Sequence, residues 1–551
     1  MNTQLEQMQQ MKKMVLVSSI CMIILLFWGN FNNKTEQNIS KTKTKETQNT
    51  KSNIDNEAPK IIKFESRDKA ISNRNDDQII KFENDAISGS INLKGLKIDD
   101  LTLKNYRQEE NKAKNIELLS PISSPDYYYI DFGWISNNKS IILPTKETIW
   151  SVIRNDKNNF TFTSNIDKNN FIVKLKLDDK YLWKIEMFAN GLNVKDVTSY
   201  TRLKRSMENI KTTNSYSHEG MLLVKNDILN EEKYSNIKDK QSFETSSNSW
   251  IGFGDKYWFN GIISINENIK NISYSKTSNC KTCYQLDMKF ANGNSNFMLY
   301  TGAKELNVIK KYHLEYNIPL FDRVIDFGWF YFLTKPLLGF IKILYNICGN
   351  FGVAIILFTV VIRLALFPLA HKSYKSMAKL KKVAPKMKEL KEKFGNDKKA
   401  FNISVVELYR KEKVNPAAGC LPLILQIPVF FALYKVLIVS IEMRDAPFVF
   451  WLKDLSESDP TSIFNLFGLL PYVVPKFLQI GILPIFMGFT LFLQQKFNPQ
   501  PADPNQAKMM KVLPFLFTFL FAGFPSGLVL YWSVNNLISI SQQWLVSKIE
   551  K

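Results

Sequence analysis

The residue that most constrains a chemical reading of this chain is Arg363, which interrupts an apolar run at about 351–370. About seven residues, or roughly 10 Å at 1.5 Å rise per residue, separate it from the inner end of that run. Helical Cα–Cβ bonds tilt toward the helix N-terminus, here the outer side, so the side chain is poorly placed to reach the nearer interface. A guanidinium left in hydrocarbon costs from about 2.5 to over 10 kcal/mol. The sequence therefore calls for a wet, polar cavity around Arg363, and groups able to line it occur in its own apolar run and in or at the end of others. These are Thr359, one turn before Arg363 on the same face, Gln426, Gln494, Gln495, Ser533, Asn535 and Asn536. No Asp or Glu lies in these runs to neutralise the charge, and an arginine bonded structurally to nearby carbonyls is the competing reading. Lys435 is a second charge in an apolar run, near its outer end.

Other chemistry is sparse. Five cysteines and three histidines are too few for a disulfide framework or a rich metal site. The single CxxC, Cys280-Lys281-Thr282-Cys283, lacks the four ligands of a structural zinc and reads as a local disulfide or two free thiols. No Ser-His-Asp spacing, carboxylate motif or glycine-rich phosphate loop stands out, so neither a cofactor, a metal nor a conventional enzymatic activity is expected. The net charge of +21 suits an anionic membrane surface or lysine-covered solvated faces, and no direct nucleic-acid partner is expected.

The elements that would position these residues follow from hydropathy. After a cytoplasmic N-terminus at 1–13, Lys12 and Lys13 precede an apolar run at 14–31 with no small-residue cleavage pattern after it, which reads as an uncleaved anchor. Residues 32–78 are rich in Asn, Lys, Thr, Ser and Glu and read as a disordered tether. From 79 to 325, alternating stretches such as Phe171-Ile172-Val173-Lys174-Leu175-Lys176-Leu177 between Asn, Gly and Asp turns predict an exported all-β sandwich. Residues 326–348 place Lys335 and Lys342 on one helical face, opposite Trp329, Phe340 and Ile341, and read as an interfacial helix that Pro336 should bend or end. The remainder, 349–551, holds spans at about 351–370, 419–440, 477–493, 509–524 and 527–546, the fourth and fifth of the six being short. The fold class is thus a multi-domain membrane protein: a core of five transmembrane helices plus an N-terminal anchor helix, with an extracytoplasmic all-β domain.

The loop 371–415 carries fourteen Lys and Arg against five Asp and Glu, so it belongs inside, and both termini are then cytoplasmic. Met377, Leu380, Ala384, Met387, Leu390 and Phe394 form one apolar stripe, Gly395-Asn396-Asp397 makes a turn, and Phe401, Val405, Leu408 and Tyr409 face back. This predicts a basic helical hairpin, with Met377, Lys379, Pro385, Tyr409 and Lys413 as candidate contact residues toward anionic lipid, incoming chains or the ribosome.

At several of these places the sequence resembles the YidC/Oxa/Alb family of membrane protein insertases. The likeness is carried by Gly352-Val353-Ala354-Ile355-Ile356 leading to Arg363 and Phe367-Pro368-Leu369, by Ser376-Met377-Ala378-Lys379, and by Tyr409-Arg410-Lys411-Glu412-Lys413-Val414-Asn415-Pro416 running into Gly419-Cys420-Leu421-Pro422. Gln426-Ile427-Pro428-Val429-Phe430, Phe492-Leu493-Gln494-Gln495-Lys496 and Phe524-Pro525-Ser526-Gly527-Leu528-Val529-Leu530-Tyr531-Trp532 extend it, as does Trp250-Ile251-Gly252-Phe253-Gly254-Asp255 in the exported part. The resemblance covers most of the chain after the tether and is to the Gram-negative type, whose large periplasmic domain is a super-sandwich. It implies a hydrophilic groove, open to cytoplasm and lipid, formed by Arg363, Thr359, Gln426, Gln495, Asn535 and Tyr531. It also implies a slide for client helices formed by Phe430, Met487 and Phe517. The implied partners are nascent integral membrane proteins, the lipid bilayer, the Sec translocon and, through cytoplasmic loops, the ribosome, since the sequence ends at Lys551 without the long basic tail of some ribosome-binding relatives. The implied location is the bacterial inner membrane. A polytopic transporter of a small solute and an anchored periplasmic enzyme are the rival classes, the first weakened by the lack of an internal repeat.

Overall fold

A computed structural model describes residues 64–108, 111–209, 217–245, 248–277, 280, 282–328, 330–395, 397–412, 414, 421–470, 472, 474–475, 478–498 and 504–549. The expected anchor at 14–31, the tether up to residue 63, Trp329, Lys413 and Asn415-Pro416 lie outside the described residues. Packing divides the chain into two units, one of them Lys372–Pro422 and the other comprising Ile61–His371 with Leu423–Ile549.

The larger unit begins with a correction. Residues 64–78, expected as part of a disordered tether, lie against the strands. Helix α1 (Arg67–Ser72) buries Ala70, Arg67 pairs with Asp100 and donates to Thr102 and to the Leu119 carbonyl, and Arg74 pairs with Asp99 at 3.0 Å. Asp99 and Asp100 are poorly exposed acids that need cationic partners, and this segment supplies them.

Two antiparallel nine-stranded sheets follow. The first runs, in spatial order, Ile79–Glu83, Ile87–Asn92, Lys97–Arg107, Tyr128–Ser136, Val197–Ser206, Cys283–Phe290, Ile269–Lys276 and Gln241–Phe243, with Asn115–Leu119 paired to Lys97–Arg107. The second runs Ile228–Lys233, Gly220–Lys225, Ser249–Gly254, Trp258–Ser264, Ser295–Ala303, Leu182–Asn190, Asn169–Leu177, Asn159–Ile166 and Ser151–Asp156. Period-two alternation sets the inner faces: in Asn169–Leu177, Phe171, Val173, Leu175 and Leu177 are buried while Lys174 and Lys176 are exposed. Two-residue turns at Lys157-Asn158 and Asn226-Asp227, with both φ positive, match strand twist and fix register. Aromatic contacts close the sandwich, Phe132 on Phe297 at 6.4 Å and Phe82 on Trp183 at 4.8 Å between ring centroids. Cys280 and Cys283 form a disulfide just ahead of Cys283–Phe290.

After the last strand come helix α2 (Leu306–Glu315) and helix α3 (Tyr331–Cys348). Pro336 lies inside α3, which runs on past it to Cys348. Gly349 ends α3 in the left-handed region at φ 68°, and the chain then turns through 119° into helix α4 (Phe351–Ala365), which Asn350 caps by accepting from the Val353 amide. Helix α5 (Phe367–Phe394) starts after the break at Leu366 and continues into the basic segment. Helix α7 (Leu421–Val439), helix α8 (Ile482–Phe497), helix α9 (Pro504–Phe521) and helix α10 (Ser526–Ile549) complete the core. Among the described residues no single helix is long and apolar enough to cross a membrane. The pair α3 and α4 passes together across its bend, and Gln426–Val439 and Ile482–Phe497 are shorter apolar helices.

The smaller unit is a hairpin of the α5 continuation and helix α6 (Lys398–Lys411). Asp397 caps α6 by accepting from the Lys399 and Ala400 amides. Leu380, Val383 and Val414 cluster with Leu408 and Tyr409, Lys386 pairs with Glu412 at 2.7 Å, and the Tyr409 hydroxyl donates to Met387 Sδ at 3.0 Å. Met377 is buried, whereas Lys379 and Pro385 are exposed.

Candidate functional site

The polar residues expected around Arg363 do converge in part. Helix α4 buries Thr359 and Arg363 one turn apart. Arg363 Nε donates to Asn535 Oδ1 on α10, and its Nη2 donates to Gln426 Oε1 on α7 at 3.0 Å. Arg363 is only 8% exposed, and these two partners of its guanidinium are uncharged amides that accept from it. Tyr531 on α10 lies close enough to interact with both Arg363 and Gln426. Thr359 instead donates to its own helix, at the Ile355 carbonyl, 2.6 Å away.

Helix α10 carries more of the site than was expected. Ser539 donates to the Asn535 carbonyl at 2.7 Å, Asn536 donates to Thr490 on α8 at 3.1 Å, and Gln542 donates to the Arg363 carbonyl at 3.4 Å. Ser539 and Gln542 follow Asn535 at four and seven residues, a helical spacing that could have revealed them. Gln495 Nε2, Gln426 Nε2, Trp532 Nε1 and the side-chain oxygens of Gln542 and Gln543 are buried without a hydrogen-bond partner among the described residues. Buried polar groups of this kind are ordinarily satisfied by water or a polar ligand.

Beside this polar cluster stands an aromatic one. Phe430 lies 5.2 Å from Trp532 and 6.1 Å from Phe521, and Phe517 lies 5.7 Å from Phe521, centroid to centroid. Phe430 and Phe517 are half-buried and present part of their rings outward. Met487 does not share that surface. It is fully buried, because α8 turns Met487, Gly488 and Thr490 inward and exposes Ile485, Phe486, Phe489 and Phe492.

Lys435, unexplained from sequence, pairs with Asp326 at 2.7 Å, and Asp326 also accepts from the His218 amide at 2.7 Å and the Gly328 amide at 3.0 Å. Burial alone would raise the Asp326 carboxyl, but Lys435 and the amide donors hold it below the usual range. Burial, with help from Lys304 and Lys233, lowers His218 to about 4 against the opposing pull of Asp326. The lysines of α3 turn toward protein too: Lys335 reaches Asp322 at 2.6 Å and Lys342 reaches Glu442 at 2.7 Å. Glu442 also accepts from the Leu306 amide at the start of α2, so the segment after α7 grips the end of the β domain. Among the described residues no group of three or more His, Cys, Asp or Glu could hold a metal ion.

A two-sheet sandwich joined through a bent helix to a bundle with a buried arginine among amides defines a two-part protein, a helical core bearing a large all-β domain. Residues 343–551 match the family model described as 60Kd inner membrane protein, and residues 79–340 match the YidC periplasmic domain. The chain is 43% identical over 491 residues to the membrane protein insertase YidC of Rickettsia bellii, covering 86% of this chain and 88% of that one. It is 43% identical over 490 residues to that of Rickettsia conorii, covering 86% and 87%. A crystal structure of an active YidC insertase with its first transmembrane domain resolved is similar at 19% identity, covering 85% of this chain and 92% of that one, with a TM-score of 0.37. The chain belongs to the YidC family of membrane protein insertases. That membership sets aside the small-solute transporter considered from sequence.

Proposed function

We propose that this chain inserts integral membrane proteins into the inner membrane by admitting a client's short polar flank to the polar cluster around Arg363 while the client's apolar segment moves into lipid past Phe430 and Phe517. The observation that carries the proposal is an arginine at 8% exposure whose guanidinium donates to amides of two other helices. A charge in such a place costs several kcal/mol unless polar groups and water attend it, and two atoms of its neighbours, Gln426 Nε2 and Gln542 Oε1, are buried without a hydrogen-bond partner among the described residues. The driving force is partition of the client's apolar surface, about 25 cal/mol per Å² buried. No covalent step is involved.

In this reading both termini are cytoplasmic, the β domain is periplasmic, and the α5–α6 hairpin stands in the cytoplasm. Its exposed Lys379 and Pro385, together with Lys413, meet anionic lipid, nascent chains or the ribosome. Clients arrive directly or beside the Sec translocon. The membrane potential adds about 2.3 kcal/mol per charge per 100 mV, which favours outward passage of acidic flanks.

The test is reconstitution of the full chain in liposomes with a small one-span client. Arg363→Ala should reduce the protease-protected client fraction severalfold, whereas Lys139→Ala, at an exposed β-domain position, should leave it unchanged. Equal insertion by Arg363→Ala and the parent would remove the polar cluster from the mechanism.

A further inference from the structure

The segment between α7 and α8 contains an unusual surface. From Pro460 to Pro475 the sequence carries no charged residue. Within it, Phe464, Leu466, Phe467, Leu469, Leu470 and Tyr472 all stand outside the core, Leu469 with 83% of its surface exposed. Single exposed apolar residues are unremarkable, but six within nine positions form a patch that water disfavours. Leu466 and Phe467 have φ of 49° and 59°, a region bulky side chains seldom occupy, so a tight hook rather than a helix presents these groups.

Several backbone groups of the hook are paired within it. Ser462 caps it by accepting from the Phe464 amide, the Phe467 amide donates to the Ser462 carbonyl, the Leu470 amide donates to the Asn465 carbonyl, and the Tyr472 hydroxyl donates to the Phe464 carbonyl. Internal satisfaction of this kind matters little in water but is required of any irregular segment that enters hydrocarbon. The base of the hook is fixed at the start of α8: the Ile463 amide donates to the Ile480 carbonyl at 3.0 Å, two residues before Ile482, and Asp459 accepts from the Leu483 amide at 2.8 Å. The hook therefore sits at the outer mouth of α8, next to a helix whose Ile485, Phe486, Phe489 and Phe492 face outward.

We propose that residues 463–470, with Tyr472, form an apolar hook that inserts into the outer leaflet of the bilayer beside α8. The occupant of this surface is lipid. Continuity with the exposed apolar face of α8, the lack of charge and the backbone pairs made within the hook all select acyl chains over an aqueous protein partner. The proposal rests on the reading that α7 and α8 cross the membrane, and it adds a lipid-embedded element on the periplasmic side.

The test is site-directed spin labelling of the full chain in liposomes of phosphatidylethanolamine and phosphatidylglycerol. Cys21, Cys348 and Cys420 are replaced by serine, the Cys280–Cys283 disulfide is kept, and one label is introduced at a time through Leu469→Cys, Leu470→Cys, Phe489→Cys or Ser140→Cys. Accessibility to oxygen relative to a water-soluble nickel chelate should favour oxygen at 469 and 470, favour it more strongly at 489, and favour nickel at 140. Nickel-dominated accessibility at both 469 and 470, with 489 still oxygen-dominated, overturns the hook alone. Nickel dominance at 489 as well overturns the membrane reading along with it.

Discussion

Replacing Asp326 with asparagine should loosen the joint between the exported domain and α7. The carboxylate has three partners within 3.0 Å, Lys435 Nζ and the amides of His218 and Gly328, and its side chain and that of Lys435 are only 19% and 17% exposed. Breaking a buried ion pair by changing one member costs about 3–5 kcal/mol. The lower end applies here, because asparagine can still accept from one amide and Lys435 makes further interactions. About 3 kcal/mol corresponds to roughly a 150-fold larger population of locally opened chain, at tenfold per 1.4 kcal/mol. Hydrogen exchange followed by mass spectrometry in lipid nanodiscs reads this directly on peptides spanning 326–338. Asp326→Asn should speed exchange there by about two orders of magnitude and leave the central strands Tyr128–Ser136 and Val197–Ser206 unchanged. Asp326→Leu combined with Lys435→Met, which removes both charges, should lie closer to the parent than either single change. Exchange in the single variant within threefold of the parent would refute the idea that this pair holds the joint.

Acid should weaken the same region through His218. Its folded pKa of about 4 lies below the unfolded 6.5, so the unfolded chain binds more protons in that window. Stability is therefore full above pH 6.5 and falls as pH drops toward 4; urea titrations should show His218→Gln losing less over this range than the parent, and an identical loss would argue against His218. Gly488 permits a close approach of α8 to α9, where a Cβ would stand 1.8 Å from Thr518 Oγ1. Gly488→Ala should cost about 1–3 kcal/mol in thermal or detergent stability. Thr518→Ala should recover most of that loss, and unchanged stability in Gly488→Ala would contradict the packing.

Sequence disclosed the exported sandwich because its signal is local: Phe171, Val173, Leu175 and Leu177 alternate with lysines along one strand, and Asn or Asp occupies turns at positive φ. Gln426 and Asn535 were legible because few side chains in the apolar runs can reach a guanidinium and accept from it. The face of α8 was not, since uninterrupted apolar residues carry no periodicity, and Met487 is core while Phe486 and Phe489 are exposed. Long-range pairings were hidden as well. Lys435 looked unaccountable because its partner Asp326 lies 109 residues away, and the segment holding Arg67 and Arg74 looked like solvated tether because the acids it meets, Asp100 and Asp99, sit on a strand beyond it.

The amide partners of Arg363 have an energetic corollary for the cell. Neither asparagine nor glutamine exchanges a proton at any pH a cytoplasm reaches, and the guanidinium stays cationic throughout. Unlike carriers whose buried carboxylates charge and discharge with each cycle, the site formed by Arg363, Asn535 and Gln426 has no such carboxylate among these members. The polarity these three side chains contribute is thus constant, and in the proposed reading acidification of the cytoplasm or collapse of the pH gradient alone should leave that contribution unchanged.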